Sequence, residues 1–157
     1  MALIDRTAVP EQTGTIYPPA FAETVAGRAV QRLGAAGGLT QFGVNIVTLA
    51  PGAASSMRHW HENEDEFILV LQGTCTLRHD AGETDLRQGD CAAFPAGDPD
   101  GHCVVNRTDA PARFLVVGSR AQHEVVHYSE EDVRLEIEDG IPHFTRADGS
   151  PLPDPAS

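Results

Sequence analysis

Between Leu39 and Ser119 the apolar residues come in short runs punctuated by glycine, proline, aspartate and asparagine. Runs of that length suit strands and fall short of ordinary helices, so the pattern predicts an all-β domain. Strands are expected at 40–49, 57–61, 66–72, 75–79, 83–86, 91–94, 102–106 and 112–119. Asp80-Ala81-Gly82 reads as a hairpin turn, and Gln88-Gly89-Asp90 and Asn106-Arg107-Thr108-Asp109 as further turns. Eight strands are enough to close a double-sheet jelly roll and hide its edges. Upstream, Pro10, Pro18 and Pro19 break any long element, and Ala20 to Leu33 is expected to hold a short helix. Beyond Ser119 the chain turns polar and irregular, and Ser150 to Ser157, with three prolines, reads as a frayed tail. The chain thus divides into an N-terminal extension over residues 1–39, a barrel over 40–120 and a C-terminal extension over 121–157.

At 157 residues and without internal repeats, the chain is expected to form one domain around one core. Its net charge of −12 opposes nucleic-acid binding, which needs a positive surface to replace phosphate counterions. All 11 basic residues are arginine. Without lysine there is no Schiff-base aldolase, no pyridoxal-phosphate chemistry and no Walker-type nucleotide site. Cys75, Cys91 and Cys103 are odd in number and form no C-x-x-C pair, so they are expected to be buried, inert thiols. No apolar run approaches a membrane span, and the N-terminus lacks a basic-then-apolar leader, so no membrane association is expected and the localisation is expected to be cytoplasmic.

His59 and His61 are two residues apart, so on an extended strand both imidazoles face one side. Glu66 follows His61 after four residues, and Gly73 follows Glu66 after six. Downstream, Gly89 precedes Pro95 by five residues, Gly97 follows, and His102 lies three residues before Asn106. These two stretches resemble the paired motifs of the cupin superfamily, G-x5-H-x-H-x3,4-E-x6-G and G-x5-P-x-G-x2-H-x3-N. The likeness covers about residues 51–106. Six residues rather than five separate Gly52 from His59, and four rather than two separate Gly97 from His102. Both departures fall in turns, where added length costs little. The segments Ser55 to His61, Phe94 to His102 and His123 to Tyr128 are similar to those of single-domain bacterial cupins.

The resemblance implies a double-stranded β-helix, or jelly-roll, barrel with a short irregular or helical N-terminal segment. It makes His59, His61, Glu66 and His102 the ligands of one divalent transition metal: iron, manganese, zinc or nickel. Three imidazoles and a carboxylate suit such an ion and leave positions open for a substrate. Dioxygenases, decarboxylases, lyases and sugar isomerases of the superfamily use that geometry, so the chain is expected to be a metal-dependent enzyme acting on a small molecule. A non-catalytic module that binds or senses a small molecule is the alternative, and a homodimer is the expected assembly.

Met57, Ile68, Val70 and Val104 share the parity of the ligands; Met57, Ile68 and Val104 are the expected apolar substrate wall. Arg58 and Trp60 alternate with the histidines and should face the other way. Packing or a dimer interface is the expected role of Trp60, and pairing with Glu62, Glu64 or Asp65 that of Arg58. Asn106 is expected to cap a turn rather than to orient His102. His79, His123, His127 and His143 lie outside the motifs and are expected to be surface or structural residues. Tyr17, Tyr128 and His127 become second-tier candidates for acid–base or substrate contacts if the terminal segments fold over the barrel mouth. No residue is singled out as the general acid or base.

Overall fold

The computed structural model describes residues 3–153. Among them are strands β1 (Arg28–Arg32), β2 (Phe42–Leu49), β3 (His59–His61), β4 (Glu66–Gln72), β5 (Thr74–His79) and β6 (Gly82–Arg87). The series continues with β7 (Cys91–Phe94), β8 (Cys103–Val105), β9 (Ala112–Ser119), β10 (His123–Tyr128), β11 (Arg134–Glu138) and β12 (Ile141–Thr145). One sheet has the order β1-β2-β9-β4-β7. The facing layer consists of β12-β11-β10-β3 and β6-β5-β8, and all ladders are antiparallel. A bridge between His59 and His102 joins the two parts of that layer, their main chains exchanging hydrogen bonds of 3.0 and 2.8 Å. Each of the eight strands expected from the apolar runs is present, and the all-β jelly roll is the observed fold.

Alternation explains the core. Leu49, Ile68, Val70, Cys75 and Phe114 project between the layers and are almost fully buried. A second cluster of Met57, Val126, Tyr128, Val133 and Leu135 closes the other end. Gly73 turns the chain from β4 into β5 at a φ of +77°, and a Cβ there would stand 3.3 Å from the Ala112 backbone. Only glycine takes that conformation without strain. Asn106 has no exposed surface: its amide donates to the Leu49 and Ala110 carbonyls, and its Oδ1 accepts from the Thr108 N–H and hydroxyl. It is a turn cap, as its residue type suggests.

The terminal segments depart from expectation. The short helix expected within Ala20 to Leu33 is a 3-10 helix, Pro19–Val25, but the rest of the stretch is strand β1, followed by a four-residue helix, α1 (Leu33–Ala36). Gly27, at φ +80°, turns the chain so that Arg28–Arg32 pairs along β2. The open edge of β2 outweighs a weak local helix preference. Nor is the chain irregular after Ser119, since β10, β11 and β12 form a meander docked on β3. Most of their polar residues face out, the buried Glu124 of β10 excepted, while Val126, Leu135 and the partly buried Phe144 fill the second cluster. Of the expected tail, Pro151 bridges to Thr145 and Leu152 packs on that cluster, whereas residues 154–157 lie outside the described ones.

Two side-chain expectations are also corrected. Cys91 is exposed, unlike the buried Cys75 and Cys103, because it lies on the edge strand β7. Arg58 pairs with Asp80 at 2.6 Å and Glu130 at 3.3 Å instead of Glu62, Glu64 or Asp65. The return of the chain through β10 carries Glu130 to it. Trp60 stacks on His127 at 4.2 Å, a packing contact within the chain. No described helix is long and apolar enough to cross a membrane.

Candidate metal centre

The His59–His102 bridge explains how two histidines distant in sequence become neighbours. Residues directly opposed in an antiparallel pair put their side chains on the same face, and these two rings lie 4.9 Å apart. His61, two residues along β3, faces the same way with its ring 5.0 Å from that of His59. Glu66 approaches from the opposite sheet, where its partner across β9 is Gly118. One ligand atom each from His59, His61 and Glu66 lies within 4.8 Å of the others. His102 is outside that tight group, but its Nε2 is 3.4 Å from Glu66 Oε1.

Tautomers follow from the outer contacts. His59 Nδ1 is 2.9 Å from the Met57 carbonyl, so it donates there and turns the Nε2 lone pair inward. His61 stands between two carboxylates, with Nε2 4.0 Å from Glu66 Oε2 and Nδ1 3.6 Å from Glu124 Oε1. The His102 ring lies flat against Phe94, the planes 4° from parallel and the centroids 3.5 Å apart. Both nitrogens of His102 and Nδ1 of His61 are buried without a hydrogen-bond partner. An unsatisfied buried polar atom costs about 1–3 kcal/mol, and His102 Nε2, which faces Glu66, is one that a cation at the cluster would satisfy. Three imidazoles and a carboxylate are also the donor set a first-row divalent metal accepts.

A second group of ligand-type residues, His61, Glu64 and Glu124, is less suited to an ion. Glu124 is fully buried and accepts from the Glu62 and Asn63 N–H groups at 2.9 and 3.0 Å. Glu64 accepts from the Ala121 N–H at 2.8 Å. Those oxygens already serve the backbone. Glu124 is not among the residues expected at the site, although it lies in the segment His123 to Tyr128 noted for its likeness to bacterial cupins. Within that segment alternation singles it out, since it shares the parity of Val126 and Tyr128, which pair with His61 and His59.

The four residues line one wall of a cavity of about 530 Å³. Val104 of the expected apolar wall borders it, while Met57 and Ile68 are buried in the two core clusters. Tyr17 and Tyr128 border it as well, their rings 5.7 Å apart, edge to face. The N-terminal segment and β10 therefore both reach the cavity. His127 does not, since it pairs with Trp60 on the other face and its Nε2 is 2.7 Å from Glu62.

Burial, and then the neighbouring His102 and His61, pushes the His59 pKa down from 6.5 to about 3. Burial would lower His61 too, but Glu124 and Glu66 outweigh it and hold His61 above its ordinary value. Burial would raise Glu66, and the surrounding histidines hold it below its ordinary value. Desolvation raises both tyrosines, which stay protonated.

A pH dependence of the metal-free protein follows. Unfolded, His59 takes a proton near pH 6.5; folded, it stays neutral to about pH 3, so acid favours the unfolded state. Stability should fall below pH 6.5 by up to about 1.4 kcal/mol per pH unit. The raised His61 contributes stability that is complete below its unfolded value and lost only as the pH rises, so it adds no acid slope. The lowered Glu66 contributes stability that is lost only below 4.5. Glu64, raised by burial, acts in the opposite sense just above 4.5, so the informative comparison is with His59→Gln. Urea midpoints between pH 6.5 and 4.5 should depend less steeply on pH in that variant, and an unchanged slope would contradict a neutral His59.

The family model for the cupin domain matches residues 45–118. A sugar phosphate isomerase of the cupin superfamily from Silicibacter pomeroyi DSS-3 is 50% identical, with 97% of each chain covered and a TM-score of 0.94. A candidate sugar phosphate isomerase from Acidithiobacillus ferrooxidans is 28% identical, with 81% of each chain covered and a TM-score of 0.73. The polyketide cyclase RemF from Streptomyces resistomycificus, 23% identical over 76% of this chain and 79% of its own, shares the fold with a TM-score of 0.63. No curated protein matches the chain.

Proposed function

The chain belongs to the cupin superfamily, and from that premise we propose that it is a metal-dependent enzyme interconverting the aldose and ketose forms of a small sugar derivative. The observation that carries the proposal is the convergence of His59, His61 and Glu66 within 4.8 Å, at the wall of a cavity large enough for such a substrate. The Silicibacter pomeroyi protein supports the choice of isomerisation among the superfamily's reactions.

In this reading His59, His61, Glu66 and His102 hold one divalent ion: iron, manganese, zinc or nickel. When bound, that ion supplies Lewis-acid polarisation of a substrate carbonyl. The chain's own residues do the rest. The Met57 carbonyl and Glu124 fix the rings of His59 and His61 from behind. Phe94 and Val104 keep the neighbourhood of His102 apolar, which strengthens charge interactions there. Burial keeps Tyr17 and Tyr128 protonated, so they donate to a substrate oxygen rather than act as bases.

Untagged protein purified without chelator should carry about one divalent transition metal per chain by elemental analysis. In deuterated water it should exchange the proton on the carbon next to the carbonyl of an aldose phosphate, read by proton NMR. Metal without exchange or turnover across a panel of triose to hexose phosphates would replace catalysis with binding or sensing. No metal would remove the proposed centre itself.

A further inference from the structure

The walls of the cavity do not share the charge of the molecule. The chain carries −12 overall, yet the cavity is bordered by two arginines, Arg28 and Arg32, and one carboxylate, Glu66. Both arginines come from β1, where they flank Val30 on the face turned to the cavity. Residues four apart on a strand share a face with their Cα atoms about 13 Å apart, so two long side chains can reach toward one anion held between them over Val30, and the charge of Arg32 is felt at Arg28.

Neither arginine forms an ion pair among the described residues, although most of the chain's ion pairs involve arginine. Arg28 Nη1 donates to the Ser55 carbonyl at 2.6 Å and Nη2 to the Gly14 carbonyl at 3.5 Å. Arg32 Nε donates to Gln12 Oε1 at 3.0 Å. These neutral contacts orient the side chains, neutralise no charge and leave further N–H donors of each fork unused. Desolvation lowers the Arg28 pKa, as befits a cation held partly out of water without an anion. The Tyr17 hydroxyl, which accepts from the Met57 N–H, lies on the wall between the arginine side and His59, so the two ends of the cavity are continuous.

We propose that Arg28 and Arg32 form an anion subsite that holds the phosphomonoester of the substrate, with the sugar carbonyl end at the histidine cluster. This rests on the isomerase reading for the sugar, but not for the anion. A phosphate dianion matches two forked donors better than a single carboxylate does. Against a chain of net charge −12, such a local reversal of sign also concentrates anions at this one place.

The test is calorimetric titration of metal-free protein with inorganic phosphate. Wild type should bind, and Arg28→Gln and Arg32→Gln should each weaken binding by about tenfold. Arg32 is exposed, so Arg32→Gln keeps the test open should Arg28→Gln unfold for lack of its Ser55 contact. His61→Ala should bind phosphate as wild type does. Wild-type affinity in both arginine variants, or loss of phosphate binding in a folded His61→Ala, would overturn the subsite. Acetate binding as tightly as phosphate would assign it to carboxylates instead. If phosphate binding follows the arginines while sugar phosphates show no turnover, the isomerase reading fails and the subsite stands.

Discussion

His61→Ala is expected to remove nearly all bound divalent metal while the barrel stays folded. In the proposed ligand set His61 is the central member, facing Glu66 with one nitrogen and Glu124 with the other. Losing a direct ligand should weaken binding by more than the 10–100-fold, or thereabouts, that loss of an outer partner costs. At micromolar protein, occupancy should drop from about one ion per chain to less than about a tenth. The fold should survive because neither core cluster includes His61: Leu49, Ile68 and Phe114 fill one, Met57, Val126 and Leu135 the other. Glu124 also keeps its two backbone donors in the variant. Elemental analysis and near-ultraviolet circular dichroism on one preparation decide the matter. Unchanged metal content in a folded variant would sink the ligand assignment. Loss of both metal and fold would show that His61 supports the barrel itself.

How much of this site the sequence discloses depends on how local each contact is. The H-x-H pair is legible because strand alternation alone puts His59 and His61 on one face. Glu66 follows on the next strand at a spacing set by one short turn. His102 is legible only through the likeness of the second motif, because its neighbour is fixed by the bridge to His59, and no local pattern encodes which strands meet. The departures in loop length are absorbed locally. The longer turn after Gly97 is pinned by Asp98 and Asp100, whose carboxylates accept from the Asp100 and Asp80 N–H groups. What escaped lies at the ends. Arg28 sits in a stretch of mixed preference whose strand forms only because β2 offers an edge. In β10 to β12 the inward positions are too few, among so many charges, to reveal a period. The likeness of His123 to Tyr128 to bacterial cupins marks that segment but discloses neither its pairing in a meander nor the role of Glu124.

Glu124→Ala is expected to weaken both the fold and the metal site, and Glu124→Gln separates the two effects. The carboxylate is fully buried, with one oxygen on the Glu62 N–H and the other on the Asn63 N–H. Truncation strands both donors at about 1–3 kcal/mol each, so chemical denaturation should show a loss of about 3–5 kcal/mol. The same carboxylate is the only group opposite His61 Nδ1 at 3.6 Å among the described residues. Without it the ring loses what selects its tautomer and the angle of Nε2. Metal affinity, read by competition with a chelator, should fall by about 10–100-fold. Glutamine fills the same volume but brings one acceptor in place of two, so it conflicts with a backbone donor or leaves His61 unmatched. Glu124→Gln should therefore stay folded near neutral pH, with a smaller loss of stability and most of the loss of affinity. A glutamine variant that binds metal as tightly as wild type would reduce Glu124 to a brace for the Glu62–Asn63 turn. A variant that keeps its stability but loses affinity would show the opposite: the buried carboxylate acts through His61, and β10 belongs to the site as much as the motif strands do.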